Sequence, residues 1–175
     1  MSAYRILPLA LAALLPLMPA CGDDDDGTGP GTSFSATLTG AAEVPPVETP
    51  ATGTAIFAVS GTAITYTVNV ANIANAVVAH IHIAPVGENG PVRLNLCGTG
   101  APEPACPGGT FTGVLATGTN GTTVGSPAIT FDELVAAMSA GNAYVNVHTN
   151  DGVGQPNTGA GDMASGEIRG QIVAD

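Results

Sequence analysis

The sequence predicts an all-β fold, an antiparallel β-sandwich or flattened Greek-key barrel of about eight strands with one short helix. Three observations carry this. Gly 24 and Pro 14, among many Thr and Val, favour turns and strands over helices. Short runs alternate apolar and polar residues at a period of two, closely spaced along the chain. A helix signature occurs at one place only. Aromatic residues make up 4% of the chain, so the core must be built from Val, Ile, Leu and Ala.

The elements follow in order. Phe34-Ser35-Ala36-Thr37-Leu38 alternates as a strand, and Ala41 to Pro50 is a proline-rich loop. Thr52 to Ser60 and Thr62 to Val70 form two alternating runs joined at Ser60-Gly61, the pattern of a hairpin. Val77 to Ile83 is a strand, Pro85 to Pro91 a turn region with Asn89-Gly90, and Val92 to Leu96 and Thr110 to Thr117 two more strands. Thr130-Phe131-Asp132-Glu133 fits a capping box; Leu134 to Ala140 continues it as a helix that Gly141 stops. Ala143 to Thr149 and Glu167 to Val173 are the last strands. The Gly-rich connection Asn150 to Ser165 between them is long enough to suggest a functional loop.

The first 33 residues fall outside the fold. Met1 to Arg5 carries one positive charge, Ile6 to Met18 is apolar, and Pro19-Ala20-Cys21 ends the run with a small residue before a cysteine. Residues 1–20 thus resemble a bacterial lipoprotein signal peptide, with Cys21 as the lipidation site. An ordinary secretory signal is the alternative. A membrane-spanning helix is disfavoured by the short apolar run and by Pro8, Pro16 and Pro19. Residues 21–33, with Asp23 to Asp26 among Gly, Thr and Pro, cannot bury surface and read as a disordered acidic tether. The folded domain is then 34–175. The protein is expected to be exported, as an anchored lipoprotein of the outer membrane or cell surface or in secreted form, with a membrane partner through the lipid.

Charge excludes some partners. The chain has no lysine; Arg5, Arg93 and Arg169 face 14 acidic residues, for a net charge of -11. Such a surface repels nucleic acid phosphates, so no nucleic acid partner is expected. After export, Cys97 and Cys106 can pair as a disulfide closing the intervening loop. A two-thiolate metal site is the rival, but neither His nor further Cys lies nearby in the sequence.

The candidate site rests on the histidines. All three lie in two strands, Ala79-His80-Ile81-His82-Ile83 and Tyr144-Val145-Asn146-Val147-His148-Thr149. Residues two apart share a strand face, so His80 and His82 face one way, as do Asn146 and His148. Glu167, Arg169 and Gln171 alternate likewise against Ile168 and Ile172. If these strands are neighbours, one face carries three imidazoles, an amide, a carboxylate and a guanidinium, and the other is aliphatic. Two readings stand. In one, His80, His82 and His148 hold copper or zinc, with Glu167 as outer support or fourth ligand. In the other, the imidazoles, Asn146, Glu167 and Arg169 form a satisfied polar network that fixes register, Arg169 neutralising Glu167.

A family resemblance covers most of the domain. Ala42-Glu43-Val44-Pro45-Pro46, Ala51-Thr52-Gly53-Thr54-Ala55, His80-Ile81-His82, Asn89-Gly90-Pro91-Val92, Tyr144 to Thr149 and Gly166 to Ile172 occur in the order typical of the CHRD (chordin) domain. The resemblance implies a β-rich extracellular domain and no defined activity. A fainter similarity, to copper-zinc superoxide dismutases, lies in the His-x-His strand, the late single-His strand and the Gly-rich loop. A fourth histidine and the bridging ligand are missing, so no dismutase activity is predicted. No Ser-His-Asp, Cys-His or nucleotide-binding glycine pattern is present. The expectation is therefore a lipid-anchored, non-enzymatic binding domain with an extracellular or envelope partner, and a copper or zinc module as the alternative.

Overall fold

The computed structural model describes residues 33–100 and 102–175, together with Met1. The predicted signal peptide after Met1, Cys21 and nearly all of the predicted acidic tether lie outside the described residues. The domain is all-β, as the alternation predicts, with one short α-helix. Its strands are β1 (Ser33–Thr39), β2 (Thr52–Ser60), β3 (Ala63–Ala74), β4 (Ala76–Ile83), β5 (Val92–Cys97), β6 (Thr110–Asn120), β7 (Ala143–Thr149), β8 (Ile168–Gln171) and β9 (Val173–Ala174). The helix α1 (Phe131–Ser139) precedes β7.

The strands run antiparallel in the order β5-β4-β7-β8-β1-β2-β3-β6, and β9 pairs with β1. The two ends of this order approach each other. Tyr66 Oη on β3 donates to Leu96 O on β5 at 2.7 Å, and Asn120 Nδ2 on β6 donates to Asn95 O at 3.0 Å. A bridge between Leu94 and Thr123 completes the contact. The sheet is thus a nearly closed, flattened barrel, which leaves few unpaired edges.

Period-two burial builds the core. On β3, Ile64, Tyr66, Val68 and Val70 point inward while Thr65 and Asn69 stay exposed. Leu38, Ile81, Leu94, Val145, Val147, Ile168 and Ile172 meet them inside, and α1 seats Leu134 and Met138 there. The capping box forms as its sequence predicts: Thr130 Oγ1 accepts from Glu133 N, and Glu133 Oε2 accepts from Thr130 N. Cys97 and Cys106 form the expected disulfide, which closes the loop after β5.

Several boundaries differ from the sequence reading, among them the end of β6, which runs to Asn120 rather than Thr117. β3 continues past Val70 to Ala74 through a register shift against β6, with Asn72 in the left-handed region at φ 57°. Asn75, at φ 53°, then turns the chain directly into β4. The predicted last strand is split. Ile172 hands its N–H to Ala143 O, while β8 and β9 lie along β1 in one register, Arg169 opposite Thr39 and Val173 opposite Ser35. Gly170 permits the close approach of β8 to β1, because a Cβ there would collide with the Thr37 carbonyl. Among the described residues, no helix is long and apolar enough to cross a membrane.

Candidate functional site

The sheet order makes β4, β7 and β8 neighbours, and their register assembles the predicted face. His82 lies opposite Tyr144, His80 opposite Asn146, and Val78 opposite His148. Asn146 in turn faces Arg169, and Tyr144 faces Gln171. Directly opposed residues of an antiparallel pair point to the same side. The reverse side, with Ala79, Ile81, Val145, Val147 and Ile168, is the apolar core. The polar side is not a solvated face. Every residue from Ala143 to Val147 is buried, as are His82 and Arg169. Loops containing Glu43, Asn89-Gly90 and Ala164 supply groups that cover it.

The three imidazoles converge. Ring centroids are 5.3 Å apart for His80–His148, 5.7 Å for His80–His82 and 5.9 Å for His82–His148. One candidate donor atom from each lies within 4.8 Å of the others. An ion about 2.0–2.1 Å from each nitrogen would draw them to roughly 4 Å or less, a change within reach of small ring rotations.

Hydrogen bonding sorts the ring nitrogens of His82 and His148. His82 Nδ1 lies 2.9 Å from Gly90 O, and His148 Nδ1 lies 2.9 Å from Ala164 O. A carbonyl only accepts, so each Nδ1 carries the hydrogen and each Nε2 keeps a free lone pair. This is the arrangement a metal-binding imidazole needs, with its other nitrogen anchored to a backbone carbonyl. His82 Nε2, His148 Nε2 and His80 Nδ1 are buried and have no hydrogen-bond partner. Three orphaned nitrogens in one cluster go against the strong tendency of buried polar atoms to be paired.

Burial keeps the cluster neutral. It is the main cause that pushes His80 down to about 4, with repulsion from His148 and His82 added. Burial likewise takes His82 to about 4, opposed by its bond to Gly90 and aided by His148 and Arg169. His148 is also lowered by burial, against the bond to Ala164. At neutral pH His82 and His148 therefore present Nε2 lone pairs, and neutral His80 has a lone pair on one of its two nitrogens.

The supporting residues divide. Arg169 does not neutralise Glu167. Its guanidinium lies 3.4 Å from the centre of the Tyr144 ring and donates to Glu88 O at 2.8 Å and Asn89 Oδ1 at 3.1 Å. Tyr144 also stacks on His82 at 4.8 Å, so the strands on either side of β7 each send a group to its ring. Glu167 neither shares this cluster nor joins the imidazoles as a ligand. Gly166, at φ 127°, bends the chain before β8. The Glu167 carboxylate then accepts from Thr49 Oγ1 at 2.6 Å, Thr149 Oγ1 at 2.6 Å and Gly161 N at 2.7 Å. Its lone pairs are spent on pinning loops. Asn146 remains in the cluster and donates to Glu43 Oε2 at 3.4 Å.

Two further residues line the cluster, Glu43 against Asn146 and Tyr144 against His82. Glu43 sits in the proline-rich loop, where no periodicity points inward, yet it is 5% exposed. Burial raises its carboxyl to about 7, with Arg169 opposing. A Cβ on Gly166 would lie 2.7 Å from Glu43 Oε1 and 2.5 Å from the Asn146 amide atoms, so glycine there is what lets the loop close over this pair. Alternation does place Tyr144 on the histidine face, and that signal could have found it.

These shifts set a pH profile for the metal-free protein. Imidazoles lowered from 6.5 to about 4 contribute stability that is present above pH 6.5 and lost as pH falls through 4. Glu43, raised from 4.5 to about 7, contributes stability that is present below 4.5 and lost as pH rises through 7. Each effect is on the order of 3 kcal/mol at most. Two falling imidazoles outweigh one rising carboxyl. Unfolding free energy is therefore predicted to rise from pH 4 to 6.5 and then to dip towards 7. In Glu43→Gln the rise steepens and the dip disappears. Denaturant unfolding across pH 4–8 reads this, and superimposable profiles for the two proteins would refute the assignment to Glu43.

Comparison with known proteins yields one relationship. The family model of the CHRD domain matches residues 34–172. Searches of curated proteins and of solved structures found no match. The matched span runs from the first strand to the end of the core and includes the whole imidazole cluster. The chain belongs to the CHRD domain family.

Proposed function

We propose that this CHRD domain is an exported module that binds one transition-metal ion, copper or zinc, through His80 Nδ1, His82 Nε2 and His148 Nε2. The observation that carries this is the set of three buried, unpartnered nitrogens in one cluster. A satisfied polar network would pair these atoms, and each orphan costs about 1–3 kcal/mol. A metal ion removes that cost at all three. Imidazole nitrogens suit copper and zinc rather than calcium or magnesium, which take oxygen ligands. No catalytic role is proposed. Family membership supports a binding domain of extracellular type.

Attachment to a membrane through lipidated Cys21 is the second part of the proposal. It is supported by Pro19-Ala20-Cys21 after an apolar segment and by the acidic stretch Asp23 to Asp26. The lipid would concentrate the domain at an envelope surface, where a protein partner could receive or deliver the ion.

Isothermal titration tests the metal reading. The metal-stripped full chain carrying Cys21→Ser, which removes its one thiol outside the disulfide, should bind one equivalent of copper or zinc. His80→Ala with His82→Ala should abolish stoichiometric binding. Equal binding by the variant, or none by the parent, would defeat it. For the anchor, cell fractionation should find the native chain with membranes and Cys21→Ser in the soluble fraction; identical partitioning would exclude lipidation at Cys21.

A further inference from the structure

We propose that the three-imidazole site selects monovalent copper over divalent copper and zinc. The inference rests on the metal reading above and deepens it. The ordinary order of affinities for nitrogen sites places divalent copper highest, so such selectivity must be built in by the protein. Two features of the site supply it.

The first is the ligand set. Among the described residues, the cluster of possible donors consists of His80, His82 and His148, with no carboxylate in it. Glu167, the nearest candidate in sequence, is held by Thr49, Thr149 and Gly161. Cys97 and Cys106 are bonded to each other. Zinc on three histidines must complete its tetrahedron with a water or other outside ligand, and divalent copper prefers a tetragonal set. Monovalent copper has a filled d shell and is satisfied by two or three nitrogens. The Gly90 and Ala164 carbonyls fix the tautomers of His82 and His148 and limit rearrangement towards a larger set.

The second is charge. The ligands are neutral, so the ion brings all of its charge into a buried site. The cost of burying a charge grows with its square, about fourfold between one and two units. The Arg169 guanidinium lies against Tyr144, and Tyr144 lies against the ligand His82. A fixed cation at that position repels a divalent ion twice as strongly as a monovalent one. Arg169 is anchored there by Glu88 O and Asn89 Oδ1, so it cannot swing away when an ion enters.

The test is a competition measured without oxygen on the full chain carrying Cys21→Ser. Monovalent copper is titrated against a chromogenic copper(I) chelator; divalent copper and zinc are titrated against chelators of known affinity. The expected result is one monovalent copper per chain, held at least about a hundredfold more tightly than zinc or divalent copper. Arg169→Gln should narrow that ratio on the order of tenfold, and Arg169→Lys should largely retain it. The parent ratio decides the matter even if the Arg169 variants do not fold. Zinc or divalent copper held as tightly as monovalent copper would overturn the selectivity while leaving a metal site. Failure to bind any of the three ions would overturn the metal reading itself.

Discussion

The register between β4 and β7 governs this site. With His80 opposite Asn146 and Val78 opposite His148, two histidines from one strand and one from its neighbour meet on a single face. A slip of one residue would turn His148 into the core and bring Val147 out. That slip is opposed from the other side of the sheet, where Ala79, Ile81, Val145 and Val147 fill the barrel interior. The apolar core therefore fixes the position of the polar cluster, although none of its atoms belongs to it.

The second layer is more unusual. β7 is buried on both faces, one by aliphatic packing and the other by loops that reach over the imidazoles. Gly90 and Ala164 offer carbonyls to His82 and His148, and Glu43 meets Asn146. The loops thereby desolvate the site and orient its rings at once. In the absence of a ligand this is costly. Three unpaired buried nitrogens at about 1–3 kcal/mol each are comparable with much of the 5–15 kcal/mol stability of a typical domain. A metal ion bound at the three nitrogens, as proposed above, would remove this cost.

Much of this was legible in the sequence, because alternation is a strong signal. His80, His82 and His148 declared their shared faces through spacing alone, and the fold class followed from the strand runs and their turns. What spacing does not encode is which group each side chain reaches. The sequence allows Arg169 to neutralise Glu167, but Arg169 lies on Tyr144 while Glu167, after the bend at Gly166, is held by Thr49 and Thr149. Glu43 was hidden because it lies in an irregular loop, where burial depends on tertiary closure and not on period. The break at Ile172 was likewise invisible, because the segment lies between β7 and β1 and bonds both across it. Loop-borne contacts are where sequence reasoning stopped, and they are what turns a row of histidines into an enclosed site.

The most direct measurement is an anomalous difference map at the copper edge from crystals grown with copper under reducing conditions. The account predicts a single strong peak bounded by His80 Nδ1, His82 Nε2 and His148 Nε2, with Arg169 still on Tyr144. A well-ordered site lacking that peak, or a peak held by other residues, would contradict it.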